Sequence, residues 1–236
     1  MKNNNLKSIA IITARGGSKR IPGKNIRDFL GKPIISYSIS AAINSKLFDE
    51  VMVSTDDKLI SEISKKYGAE IPFLRSKTNS SDFASTEDVL EEVLLEYKKI
   101  NKIFDIVCCI YPTSPFVTDK KLIDSYNIFI KNKADSLIPV VKNSYPIQRS
   151  LKLGKNYLKF CYPEFEEKRS QDIEETFHDA GQFYWTKVNA FLKSKKLFPK
   201  KTIPYLLNEL EVQDIDNESD WKIAELKYKS GTWKQD

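Results

Sequence analysis

The sequence predicts a three-layer α/β fold, a mainly parallel sheet flanked by helices, carrying one small insertion. Three observations predict it. Short, continuous apolar runs recur as SIAIIT (Ser8–Thr13), at 51–54 and as IVCCIY (106–111), the pattern of strands buried on both faces. Amphipathic segments of helical period alternate with those runs, the order a parallel sheet with crossover helices requires. A chain of 236 residues, 41% hydrophobic and 30% charged, can bury one large core and keep a solvated surface.

The first run leads into a glycine-rich basic loop, and 33–44 reads as a helix with Pro33 in its first turn. A second strand at 51–54 is followed by Asp56 and Asp57, which open a helix near Lys58–Lys66. Residues 86–98 form a strongly amphipathic helix capped by Ser85 or Thr86. The strand at 106–111 ends at Pro112-Thr113-Ser114-Pro115; a helix at Asp119–Lys131 and a strand at 136–141 follow. After Pro139 the pattern changes, and 144–176 is irregular and rich in Pro, Lys and Glu. It resumes at QFYWT (182–186), and a helix near 219–229 ends the chain. The expected organisation is a body of residues 1–139 and 181–236 interrupted by an insertion at 140–180.

The net charge of +6 is spread over single lysines, a solvated surface that favours anionic substrates. No block of Lys and Arg interleaves with aromatics, so no nucleic-acid partner is expected. Cys108 and Cys109 lie in an apolar run and Cys161 stands apart; they read as thiols in a reducing, cytoplasmic compartment. No signal-peptide core or bilayer-length apolar stretch is seen, so no membrane partner is expected.

The loop Ala14-Arg15-Gly16-Gly17-Ser18-Lys19-Arg20-Ile21-Pro22-Gly23-Lys24-Asn25 carries most of the chemistry. It follows the first buried strand, where open α/β sheets bind ligands. Gly16 and Gly17 let backbone N–H groups approach phosphate, and Arg15, Lys19, Arg20 and Lys24 supply cations; a basic surface turn is the alternative. It is not a P-loop: five residues separate Gly17 from Gly23-Lys24, and Asn25 stands where a hydroxyl belongs. The dinucleotide fingerprint G-x-G-x-x-G is absent too. Near the other end, Asp214-Ile215-Asp216 places two carboxylates at strand spacing, on one face, where both could meet one Mg²⁺. The competing reading has Asp216 or Asn217 capping the last helix.

The run IITARGGSKRIPGKNIRDFLGKPIISYSI resembles the opening of the acylneuraminate cytidylyltransferases, the CMP–sialic acid synthetase family. VMVSTDD, FLRS, SSDFAST, YPTSPF and VQDIDNESDW match in the same order, so the resemblance spans nearly the whole chain. CCIYPTSPFV, RSQDIEETFHDAGQFYW and ELEVQDIDNESDW look like the pseudaminic acid branch. The sialic acid pattern is departed from at Tyr111, Val117 and His178-Asp179-Ala180-Gly181.

The resemblance implies a Rossmann-like body of the nucleotide-diphospho-sugar transferase type. It implies CMP transfer from CTP to an acidic nonulosonic sugar, pseudaminic acid, with Mg²⁺ as cofactor and Mn²⁺ able to substitute. Ala14, Arg15, Gly16, Gly17, Ser18, Lys19 and Lys24 would hold the triphosphate, with Lys24, Arg15 and Asp214 as the catalytic groups. Asn25, Arg75, Ala84 and Thr86 would recognise cytosine and ribose, although Thr86 also reads as a helix cap and Arg75 as a surface ion-pair residue. Tyr111, Arg169, Gln171, His178, Gln182 and Tyr184 are the sugar-pocket candidates; His178 could equally be structural. Asp214 and Asp216 would carry the metal, and the insertion would serve the sugar pocket and a homodimer. Other nonulosonic acids (N-acetylneuraminic or legionaminic acid) and the eight-carbon 3-deoxy-octulosonate are alternative substrates. A non-catalytic nucleotide-binding module is the alternative from another class, and the presence of Lys24 and both aspartates argues against it.

Overall fold

A computed structural model describes residues 6–234; residues 1–5 and 235–236, the extreme ends of the expected body, lie outside the described residues. In chain order the elements are β1 (Ser8–Thr13), β2 (Asp28–Phe29), β3 (Lys32–Pro33), α1 (Ile35–Ser45), β4 (Glu50–Ser54), α2 (Lys58–Lys66), α3 (Thr86–Lys99) and β5 (Ile106–Ile110). There follow α4 (Asp119–Lys131), β6 (Ser136–Lys142), β7 (Leu151–Leu153), β8 (Leu158–Phe160), β9 (Phe177–Asp179), β10 (Phe183–Lys187), α5 (Val188–Ser194), β11 (Thr202–Leu207) and α6 (Glu218–Ser230).

The main sheet runs β11-β6-β10-β5-β1-β4, with β9 also paired to β6. β1 is parallel to β4 and β5, and β11 is parallel to β6. β10 lies between β5 and β6 and is antiparallel to both, so the sheet is mixed but mainly parallel, as expected. The period-2 alternation of β1 divides the core. Ala10 and Ile12 face α1 and α4 with Ile35, Ile39, Leu122 and Phe129, and Ile9 and Ile11 face α3 and α5 with Leu90, Val93, Tyr97 and Phe191. Burial on both faces is why these strands read as unbroken apolar runs.

A third cluster fixes the site. Ile21 of the basic loop and Phe29 of β2 pack with Ile215, Trp221 and Ala224 around α6. The two segments richest in candidate chemistry, 14–25 and 212–216, are thereby joined through apolar contact although nearly two hundred residues separate them.

Three local expectations are corrected and one open alternative is resolved. Pro33 is not in the first turn of a helix; it pairs with Asp28 in the β2–β3 hairpin, and α1 starts at Ile35. Ser85, not Thr86, caps α3, in a capping box with Asp88. β6 continues to Lys142 and β9 returns to pair with it, so the expected borders at 140 and 180 fall inside the sheet and the excursion is 143–176. Segment 212–216 has no regular secondary structure and belongs to no ladder. Within the excursion, β7 and β8 form a separate hairpin. Cys108 and Cys109 are buried free thiols, and burial raises both. No described helix is long and apolar enough to cross a membrane.

Candidate active site

A cleft of about 330 Å³ opens beyond the C-terminal ends of β1 and β5, lined by Arg15, Ser18, Lys19, Arg20, Lys24 and Asn25, by Tyr111–Thr113 and by Asp214 and Asp216. Its floor is built by local constraints. Gly16 N donates to Asp56 Oδ1 (2.9 Å), and a Cβ at Gly16 would come within 2.9 Å of Asp57 Oδ2, so only glycine lets the loop sit this low. Gly23 has φ +63°, where a side chain would be strained. Asn25 is buried and donates Nδ2 to the Arg15 carbonyl (2.9 Å), bracing the loop across its own ends.

Lys24 crosses from the loop to the second segment, donating Nζ to the Ile215 carbonyl at 2.7 Å. Burial pulls its pKa down, while Asp216 and Asp214 act the other way. Ile215 is fully buried and the flanking aspartates turn outward into the cleft, the alternation the spacing predicts. Desolvation raises the Asp214 carboxyl first, the Asp216 charge second, and Lys24 opposes both. Arg20 Nη1 lies 2.7 Å from Asp216 Oδ2. The competing cap reading resolves in favour of Asn217, which accepts from Ser219 and Asp220 while Asp220 accepts from Asp216 and Asn217 N–H. Both carboxylates of the Asp214/Asp216 pair therefore remain outside the cap.

Two cations of the loop share one carboxylate that the sequence reading did not single out. Arg15 Nη1 donates to Asp82 Oδ1 at 2.6 Å, and Lys19 bonds its other oxygen. These bonds, that from Lys19 foremost, hold the Asp82 carboxyl below the usual range. Asp82 lies in the SSDFAST segment, so its motif was visible even though its role was not.

The expected base-side residues are spread around this cleft. Arg75 is buried, donating Nε to Ser54 Oγ (3.0 Å) and Nη2 to the Ser54 carbonyl (2.5 Å); burial lowers it to about 10. It braces the end of β4 and does not line the cleft, so it is no surface ion-pair residue. Thr86, the first residue of α3, has its hydroxyl 3.3 Å from that of Tyr111, and Ala84 sits half-buried in the turn before it.

A second cleft, about 470 Å³, adjoins the first and shares Asp214 with it. His178 and Asp179 of β9, Lys142, Asn143, Gln213 and Lys227 are among its walls. His178 Nδ1 pairs with Asn143 Oδ1 at 2.8 Å. Gln182 is buried where the chain breaks between β9 and β10, donating Nε2 to the Glu211 carbonyl (2.6 Å). Tyr111 and Tyr184 meet edge to face at 5.4 Å between centroids. Arg169 and Gln171 are exposed on the excursion and line neither cleft. Asp179 lies in the segment His178-Asp179-Ala180-Gly181 that the sequence marks out, without a role of its own, and Lys227 was missed: nothing in its spacing separates it from a surface charge.

The donor set suits a divalent cation. Two carboxylates line one partly desolvated cleft, where burial first and the Asp216 charge second raise Asp214, and a 2+ ion would offset both. Among the described residues no group of three or more His, Cys, Asp or Glu is placed to hold a metal.

Comparison with known proteins agrees with this chemistry. A profile described as cytidylyltransferase matches residues 9–161. The pseudaminic acid cytidylyltransferase of Campylobacter jejuni is 43% identical over 225 residues, covering 95% of this chain and 97% of that one. The CMP-N,N'-diacetyllegionaminic acid synthase of Legionella pneumophila is 33% identical, covering 93% and 95%. Among solved structures, CMP:2-keto-3-deoxy-manno-octonic acid synthetase complexed with CTP superposes with a TM-score of 0.70 over 95% of this chain and 99% of that one; at 16% identity the likeness is one of fold.

Proposed function

The chain belongs to the cytidylyltransferase family, and we propose that it transfers CMP from CTP to pseudaminic acid, releasing pyrophosphate. The observation that carries the reading is the pair of clefts meeting at Asp214. One is lined by the loop cations Arg15, Lys19, Arg20 and Lys24, suited to a triphosphate; the other is polar and can hold a sugar. The extent of identity to the Campylobacter jejuni relative supports pseudaminic acid as that sugar.

In the reaction the sugar C2 hydroxyl attacks the α-phosphorus of CTP. A new P–O bond forms, the bond to the β-phosphate oxygen breaks, and the hydroxyl proton leaves toward Asp214. Lys24 and Arg15 neutralise charge on the α-phosphate and the leaving pyrophosphate; such preorganised groups carry most of the catalysis in phosphoryl chemistry. Ser18 and Lys19 complete the phosphate side, Asn25, Ala84 and Thr86 shape the nucleoside side, and Arg75 supports it by bracing the end of β4. Asp214 and Asp216 would hold Mg²⁺, or Mn²⁺ in its place, which supplies charge neutralisation and acidifies the hydroxyl.

The apolar hairpin fits a homodimer: Leu151 is 50% exposed, Leu158 63% and Leu153 83%, and contiguous apolar surface of this kind is normally covered. Its buried free thiols and its nucleotide substrate suit the cytoplasm. The function is tested by incubating the protein with CTP, Mg²⁺ and pseudaminic acid and following pyrophosphate. Turnover is expected; turnover with N-acetylneuraminic or legionaminic acid alone would refute the sugar, and none with any nonulosonic acid would refute the reaction.

A further inference from the structure

Asp179 stands at the wall of the second cleft, which it shares with Asp214. Its side chain is fixed twice. Oδ1 accepts from the Gly181 N–H at 2.9 Å, and Oδ2 accepts from the Tyr184 hydroxyl at 2.8 Å. The first bond closes an Asx-type turn at the break between β9 and β10, where Gly181 has φ +61°. The second comes from a side chain that is itself almost fully buried. A carboxylate oxygen can accept more than one hydrogen bond, so each retains acceptor capacity while its direction is set.

We propose that Asp179 is a specificity-determining residue of the sugar cleft, accepting a hydrogen bond from a neutral donor, an N–H or O–H, of the nonulosonic acid. The assignment rests on the function proposed above. Charge gives it a direction. The substrate bears its own carboxylate, which Asp179 repels; of the cations on the same cleft, Lys142 is paired with Glu175 and Lys227 Nζ donates to the Glu209 and Val212 carbonyls. The sugar is thus oriented with a neutral donor end at Asp179 and its anionic end away from it. Because Asp179 accepts only, an analogue offering no donor there leaves it unpaired, and this is the arrangement that discriminates strongly between substrates. Tyr184 acts through Asp179 as a positioning residue.

The test compares wild type, Asp179→Asn and Tyr184→Phe for kcat and for KM of sugar and of CTP separately, with melting temperatures as a control on folding. Asp179→Asn is expected to raise the sugar KM about tenfold or more and to leave the CTP KM within twofold. Tyr184→Phe keeps the ring against Tyr111 and is expected to raise the sugar KM about threefold, again without touching CTP. An unchanged sugar KM in Asp179→Asn, or an equal rise for both substrates, would overturn the assignment while wild-type turnover left the function standing. Absence of wild-type turnover on every nonulosonic acid would overturn both.

Discussion

Replacing Lys24 by methionine keeps most of the aliphatic stem and deletes the charge. The lost group has one hydrogen bond, to the Ile215 carbonyl at 2.7 Å, and two carboxylates, Asp214 and Asp216, that favour its charged form. In the folded protein at rest, these gains are opposed by burial, the largest influence on Lys24. Deleting a buried charge together with one such bond should therefore change stability by only about 1–2 kcal/mol, a shift of a few degrees in Tm. The transition state is different, because charge develops on the α-phosphate and pyrophosphate where only the loop cations can meet it. One preorganised donor of this kind is worth about 2.7–4 kcal/mol, or roughly 10²–10³ in kcat. The assay is steady-state pyrophosphate release at saturating CTP and sugar, beside a thermal melt of the same preparation. A kcat within tenfold of wild type would refute the catalytic assignment; so would a loss appearing wholly in the CTP KM, since that would make Lys24 a ground-state binder.

Asp214→Asn should abolish turnover yet raise the melting temperature near neutral pH: Asp214's folded pKa is raised, so its stabilising contribution is complete only at acid pH and is lost as pH climbs through the folded value. The melting advantage should shrink as pH drops below the ordinary carboxylate range, and an advantage independent of pH would refute this account. Chelation should stop pyrophosphate release and Mg²⁺ or Mn²⁺ restore it, and Asp216→Ala should raise the metal concentration needed for half-maximal rate; full activity in chelator would contradict the proposed metal role. Lys121, buried in the first turn of α4, pairs with Glu211 at 3.0 Å. Lys121→Met should cost about 3–5 kcal/mol in denaturant unfolding by leaving a carboxylate unpaired, and adding Glu211→Gln should recover part of it; no recovery would mean the cost is not electrostatic.

What the residues disclosed in one dimension depended on how local the physics was. Strands buried on both faces announce themselves as apolar runs, so β1, β4, β5 and β6 were legible to within a residue or two, and so were α2, α3 and α4, although the Thr118 cap of α4 was not read. β11 was not, because at the sheet edge it alternates half-buried with exposed residues, and Pro204 sits within it. The β2–β3 hairpin escaped for a similar reason: Pro33 suits a first helical turn by its φ, and only the pairing with Asp28 decides otherwise.

The same division runs through the site. The phosphate loop was readable because its glycines, cations and position after a buried strand are all consecutive in the chain. The sugar side is assembled from β6, β9, the 212–216 segment and α6, so no spacing betrays it, and Arg169, a sugar-pocket candidate by resemblance, lines neither cleft. What brings the halves together is the apolar cluster of Ile21, Phe29, Ile215 and Trp221, residues with no chemistry of their own. Ile215 shows why the two levels cannot be separated. Its side chain is buried in that cluster, its carbonyl accepts from Lys24, and its burial turns Asp214 and Asp216 into the cleft. Shortening it to alanine would remove no functional group, yet by loosening this junction it should cost about 2–5 kcal/mol of stability. It should also depress kcat more than either substrate KM, as expected where an ångström of misplacement is felt in the transition state. A variant that loses stability but keeps its kcat would show that the aspartates are held by something other than the core beneath them.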